Sequence, residues 1–194
     1  MSDTTTVFAN GHFLDVDAGT YREGDLRVDD GIVSETGVGL AAPSDARRVD
    51  LGGAYVLPGL IDSHVHVMAS TADLAELTRW PVTYNAHRTA RLLGQMLDRG
   101  FTTVRDMAGG DYGTWRAIEE GIVRGPRFFY AGRALSQTGG HGDHRGPGEH
   151  FVDTHPASSE MSAIVDGADQ VRRDRKSTRL NSSHQGTSRM PSSA

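Results

Sequence analysis

Two histidines stand two residues apart in the segment Pro58-Gly59-Leu60-Ile61-Asp62-Ser63-His64-Val65-His66. Side chains on a strand alternate between faces, so Asp62, His64 and His66 would share one face and Ile61, Ser63 and Val65 the other. Two imidazoles on one face can both give a nitrogen to a single divalent metal ion. A His-x-His pair on a strand is also a common solvated surface pair, and the spacing alone leaves both readings open. Four more histidines, His141, His144, His150 and His155, lie in a glycine-rich stretch. They fit either a loop in which His141 contacts a substrate or a polar loop of solvated side chains. Arg105 and Asp106 end a short β-prone run, where an ion pair or the support of a neighbouring site suits them better than catalysis. Trp80, Trp115 and Tyr130 read as packing residues. The chain has no cysteine, which excludes disulfides, thiolate ligands and cysteine nucleophiles.

Such residues need elements to hold them. Up to residue 57 the chain reads as short strands, over 5–9, 26–28, 32–34 and 55–57, with Asp29-Asp30-Gly31 as a hairpin signal. After Pro58-Gly59 the pattern changes. A strand is expected over 60–67. Ala86, Ala90, Leu93 and Leu97 then recur at helical spacing, with Gly100 as the stop. Further strands are expected over 102–105 and 128–131, with a helix over 114–123 between them. Strand, helix, strand, helix, strand predicts parallel βαβ units. A last short helix is expected over 163–173.

With 194 residues, 37% of them hydrophobic, the chain can bury one core and part of another. Its 24 glycines suit a fold with many tight connections. The net charge of -5 is uneven. From Arg172 onward Arg172, Arg173, Arg175, Lys176, Arg179 and Arg189 face a single acid, Asp174, so the body before them is strongly acidic and would repel a phosphate backbone. No nucleic-acid partner is therefore expected for the main body. No apolar run approaches the roughly 18 residues of a membrane span. Met1-Ser2-Asp3-Thr4 lacks a basic segment followed by an apolar one, so a cytoplasmic protein is expected, with no membrane partner.

The segment from Pro58 to His66 resembles the metal-dependent amidohydrolase superfamily, whose first barrel strand carries Pro-Gly-Leu-Ile-Asp-x-His-x-His. Val28-Asp29-Asp30-Gly31-Ile32-Val33 and Val49-Asp50-Leu51-Gly52-Gly53 resemble that family's amino-terminal strands, and Gly100-Phe101-Thr102-Thr103-Val104-Arg105-Asp106 is similar to its second barrel strand. Gly125-Pro126-Arg127, Gly132-Arg133-Ala134-Leu135 and Thr138-Gly139-Gly140-His141-Gly142-Asp143 are similar to its Xaa-Pro dipeptidase-like and imidazolonepropionase-related members. The resemblance covers residues 5 to 173. It implies an α/β fold, with a small β-sandwich over 1–57 and an (α/β)8 TIM-type barrel beginning at residue 58.

The same resemblance implies hydrolysis of C–N bonds in an amide or dipeptide at divalent metal, zinc and binuclear in the complete enzyme. His64 and His66 map onto the first two metal ligands; in such a barrel the loop after the third strand lies at the mouth, where His141 would contact substrate. A barrel takes about 250 residues, so residues 58–173 are expected to hold only its first three strands. The family's bridging carboxylated lysine comes from strand four, and no lysine precedes Lys176. Its further histidine ligands and catalytic aspartate come from later strands, so no catalytic residue is expected here and the chain should be inactive. Residues 174–184 and 188–194 resemble an in-frame translation of a short-read sequencing adapter, with Gln185-Gly186-Thr187 as its index; 174–194 is expected to be a disordered, artefactual tail. The alternatives are a cyclic-amide hydrolase like imidazolonepropionase and a non-catalytic scaffold of the same fold. A homo-oligomeric parent stays open.

Overall fold

Asp30 and Gly31 both take positive φ, 49° and 80°, the backbone that a two-residue turn between twisted antiparallel strands requires. They join β2 (Thr20–Asp29) to β3 (Ile32–Gly37), with Asp29 opposite Ile32. The hairpin belongs to the first of two compact units, which part between Pro58 and Gly59 in the computed structural model. The structure describes residues 5–77, 79–143, 145, 148 and 161–173; the tail from 174 lies outside them.

In the first unit β1 (Thr5–Asp15) pairs antiparallel with β2 and parallel with β4 (Arg47–Asp50) and β5 (Tyr55–Val56). The described residues thus build one five-stranded mixed sheet, in the order β3-β2-β1-β4 with β5 also on β1. β1, β2 and β3 are longer than the sequence suggests, β5 is one residue shorter, and β4 has no counterpart among the expected strands. Asn10 takes φ 58° within a register shift between Phe8 and Gly11, and β1 runs on past it. That irregularity is held by Asp25, which is 5% exposed. Its carboxylate accepts from the N–H of Asn10 at 3.1 Å and of Leu40 at 3.0 Å, with Arg48 at 3.5 Å.

The second unit opens with β6 (Leu60–Val65), followed by α1 (Leu74–Leu77), α2 (Val82–Asp98), β7 (Phe101–Asp106), α3 (Tyr112–Glu119) and β8 (Arg127–Tyr130). β6, β7 and β8 lie side by side, all parallel. The expected alternation is therefore present. α2 ends at Arg99 and Gly100, the latter at φ 91°. α3 starts from Asp111, whose side chain accepts from Thr114 N–H at 2.7 Å, and stops at Glu119, four residues short of the expected end.

The buried face of α2 is Asn85, Thr89 and Leu93, and Ala86 is exposed. The helix is rotated by one residue at its amino end from the face that its alanines suggest, because two polar side chains turn inward. Thr89 is satisfied there: its hydroxyl donates to the Val67 carbonyl at 3.2 Å. The Asn85 carboxamide has no hydrogen-bond partner among the described residues.

Leu93, Val104, Phe128 and Tyr130 form a buried cluster with Val67, Met68, Leu77, Trp80 and Met161, and Trp115 packs against it. The three aromatic residues named from the sequence are thus packing residues. Strand neighbours of this cluster point the other way: Ile61 is 72% exposed, Phe129 39%, and Arg105 is exposed. Parallel sheets are ordinarily covered on both faces; here the described residues cover one.

Beyond β8, β9 (Ala134–Ser136) pairs parallel with β10 (Ser162–Ile164). This corrects the expected helix over 163–173, whose helical part is residues 168–173 only. A short apolar run such as Ala163-Ile164-Val165 suits strand or helix equally, and pairing with β9 decides it. Among the described residues no helix is long and apolar enough to cross a membrane.

Asp25 makes a pH prediction for the first unit. The N–H of Asn10, then that of Leu40 and the charge of Arg48, hold its carboxyl below the ordinary aspartate range against the opposing effect of burial. A depressed carboxyl stabilises the fold above its unfolded pKa and ceases to do so as pH falls through its folded value. Between about pH 7 and pH 3 the melting temperature should fall. The Asp25→Asn variant should start lower at neutral pH and fall less; parallel curves in a thermal melt would contradict this.

Candidate metal centre

β6 carries one residue more than β7 where the histidines sit. Asp62 lies opposite Val104 and Val65 opposite Asp106, so four residues of β6 face three of β7. This bulge interrupts the alternation that would put Asp62 on the face of the two histidines. The Asp62 carboxylate instead accepts the N–H of His64 at 3.0 Å. A short side chain thus satisfies a backbone donor at the irregular point of the ladder.

The rings of His64 and His66 lie with centroids 5.2 Å apart and planes at 79°. Both side chains are exposed. Zinc–nitrogen bonds of about 2.0–2.1 Å at a tetrahedral angle place two imidazole centroids about 5 Å apart, which is the centroid spacing of this pair. Among the described residues no group of three or more His, Asp or Glu side chains is placed to hold a metal. A catalytic zinc site takes three protein ligands and an open position; the two imidazoles are part of such a set.

The backbone that carries His66 is fixed from behind. Asp106, at the end of β7, is fully buried. One oxygen accepts the N–H of Val67 at 2.7 Å, the other that of Gly110 at 2.8 Å. Burial pushes its pKa up, while those N–H groups and the charge of His66 pull it down. Burial outweighs the others and the net shift is upward; both oxygens act as acceptors. Among the described residues no ion pair joins Asp106 to Arg105, which is exposed on the other face. Gly110 permits the close approach: a Cβ there would stand 2.6 Å from the Phe128 ring and 2.8 Å from the Asp106 carboxyl carbon.

His141 is exposed in the loop after β9. That loop is braced at several points. Asp166 accepts from the Thr138 N–H at 2.9 Å and its hydroxyl at 2.6 Å. Asp143 accepts from the Gly139 N–H at 2.8 Å, and Ser136 Oγ from that of Gly142 at 3.0 Å. Arg145 holds the Asp143 carboxyl well below the ordinary range. No hydrogen bond, ion pair or ring contact joins His141 to His64 or His66 among the described residues. His144, His150 and His155 lie outside them.

The profile of the amidohydrolase family matches residues 55–185. The chain belongs to the amidohydrolase family. The match includes β6 with both histidines and runs past residue 173. Ochratoxinase of Aspergillus niger is 31% identical over 144 residues, 71% of this chain and 30% of that protein. Dihydroorotase of Pelobacter propionicus is 47% identical over 61 residues, 31% of this chain and 14% of that protein. The crystal structure of a prolidase complexed with N-methylphosphonate-L-proline matches with a TM-score of 0.82 and 37% identity, over 92% of this chain and 44% of that one. The chain thus spans less than half the length of these relatives. Amidohydrolases generally use divalent metals, and the fold they imply is of the TIM-barrel type.

The role of Asp106 is visible in the sequence only as general support for a site. Its partner Val67 lies 39 residues away in the chain, and no local spacing announces that contact. Thr89 carries no sequence signal at all. If the close approach at Gly110 matters, Gly110→Ala should destabilise the second unit by about 1–3 kcal/mol through overpacking. Urea unfolding followed by tryptophan fluorescence measures this; an unchanged midpoint would contradict it.

Proposed function

We propose that the chain carries the opening part of the metal site of a hydrolase that cleaves C–N bonds in amides or dipeptides, and that as this chain it is inactive. The observation that carries the reading is the His64–His66 pair, two imidazoles at one-ion spacing at the carboxyl end of a strand in a parallel sheet. Active sites of α/β barrels form at that end. A divalent metal, zinc in this reading and one of two in the complete enzyme, would polarise the scissile carbonyl and activate water. His64 and His66 would hold it, Asp62 and Asp106 would keep their backbone in place, and His141 would meet the substrate from its braced loop.

The substrate reading rests on the prolidase, whose bound ligand contains proline. A dipeptide ending in proline is the class we assign. In this account the five-stranded sheet is part of a small β-sandwich over 1–57. Residues 58–173 supply the first three strands of a TIM-type barrel, and the uncovered face with Ile61 and Phe129 looks toward the barrel interior.

Zinc titration of the chain by calorimetry should show binding no tighter than about micromolar, since two imidazoles fill only part of a catalytic shell. The His64→Ala, His66→Ala double variant should lose it. Xaa-Pro dipeptides should not be turned over above the free-metal rate. Turnover that the double variant lacks would show that the chain is an enzyme by itself.

Removing 174–194 should leave the circular dichroism spectrum per residue of the folded part and the melting temperature unchanged. Because the family match runs on to residue 185, a loss of stability beyond about 1 kcal/mol, larger than the usual scatter of surface changes, would place part of the tail in the fold.

A further inference from the structure

Taking the metal-site reading as its ground, we propose that Asp106 is the positioning residue of His66, acting with Thr89 through the backbone of Val67. The His66–Val67 peptide unit is held at both ends. Its carbonyl oxygen, that of His66, accepts from the N–H of Ala69 at 3.0 Å. Its N–H, that of Val67, donates to Asp106 at 2.7 Å. The next carbonyl, of Val67, accepts the Thr89 hydroxyl at 3.2 Å. Fixing the two ends of a planar peptide fixes the orientation of its plane; with the preceding peptide held at the Val65 carbonyl by the Met107 N–H at 2.9 Å, the direction of the His66 Cα–Cβ bond is constrained from both sides.

These bonds come from two elements. Asp106 stands at the end of β7 and Thr89 on the buried face of α2. Asp106 is itself held by Gly110, whose N–H occupies its second oxygen at 2.8 Å. His66 lies just past the end of β6, where regular pairing has stopped at Val65. The Val65 carbonyl still accepts the N–H of Met107 at 2.9 Å, so the ladder holds the peptide before His66 and the bridge holds the one after it. His64 has its own support from Asp62, so each imidazole of the pair depends on a different carboxylate.

A carboxylate can accept both N–H groups. A carboxamide has one acceptor oxygen, and its amino group would face an N–H as a second donor. Asp106→Asn therefore removes one bond with little change of shape. Thr89→Val removes the hydroxyl at the same volume, and Thr89→Ser keeps it. Leu93→Ala serves as a control that loosens the core without touching the bridge.

The experiment reads the full chain in two ways. Nuclear Overhauser effects between the His64 and His66 rings report their relative direction without any metal. Cobalt(II) titration, followed by visible absorption, reports their joint use as ligands. We expect the ring-to-ring effects in the unmodified chain, in Thr89→Ser and in Leu93→Ala. They should vanish in Asp106→Asn and weaken in Thr89→Val. Cobalt affinity should fall by about 10-fold or more in the last two, the usual effect of removing support behind a ligand. Folded variants that keep the full ring-to-ring effects would overturn the positioning role, whatever their cobalt affinity. If Asp106→Asn abolished those effects while the unmodified chain bound no cobalt, positioning would stand and the metal-site reading would be refuted instead.

Discussion

A carboxylate with no exposure to water is costly unless its oxygens are matched by donors. Asp106 meets that condition with the N–H groups of Val67 and Gly110, and the second unit is arranged around the requirement. Gly110 must lack a side chain, because a Cβ would enter the Phe128 ring and the carboxylate. Val104, two residues earlier on the same strand face, packs with Leu93 and Phe128 to exclude water. The result is a rigid join between the ends of β6 and β7, at the point where the chain leaves β6 and the histidines stand.

The pair of imidazoles and the scaffold behind it have opposite characters. The rings are exposed, and their donors are not committed to one another by a hydrogen bond. The backbone behind His66 is held by a buried bond to the Asp106 carboxylate, and that of His64 by an exposed one to Asp62; bonds to a carboxylate are the strong kind. A metal site built this way keeps its ligands accessible while limiting the directions they can take, which reduces the entropy lost on binding. The first unit uses the same device for a different end: Asp25 spans the irregular point of β1 and the segment after β3.

Much of the second unit can be read from the sequence because its signals are local. The His-x-His pair, the Gly100 stop and the strand–helix alternation each depend on residues close together in the chain, and the parallel order follows from them. The features that escape such a reading are those in which a polar side chain takes a place usually left to an apolar one. Asn85 and Thr89 face inward, so the alanine pattern puts the buried face of α2 one residue away. Asn10-Gly11 carries the composition of a turn but sits inside a strand. Strict alternation groups Asp62 with the histidines, and a bulge interrupts it. The pairing of β9 with β10 joins residues 28 apart along the chain, and no short pattern encodes it. The family resemblance, by contrast, is legible from β6 alone and is supported over residues 55–185.

The central claim is that His64 and His66 together ligate one divalent ion. X-ray absorption fine structure of the chain loaded with one equivalent of zinc tests it most directly. The account predicts a first shell containing two imidazole nitrogens at about 2.0–2.1 Å, with the multiple-scattering pattern of histidine, reduced to one in either single His→Ala variant. A first shell unchanged by both substitutions would contradict it, because the ion would then be bound elsewhere on the chain.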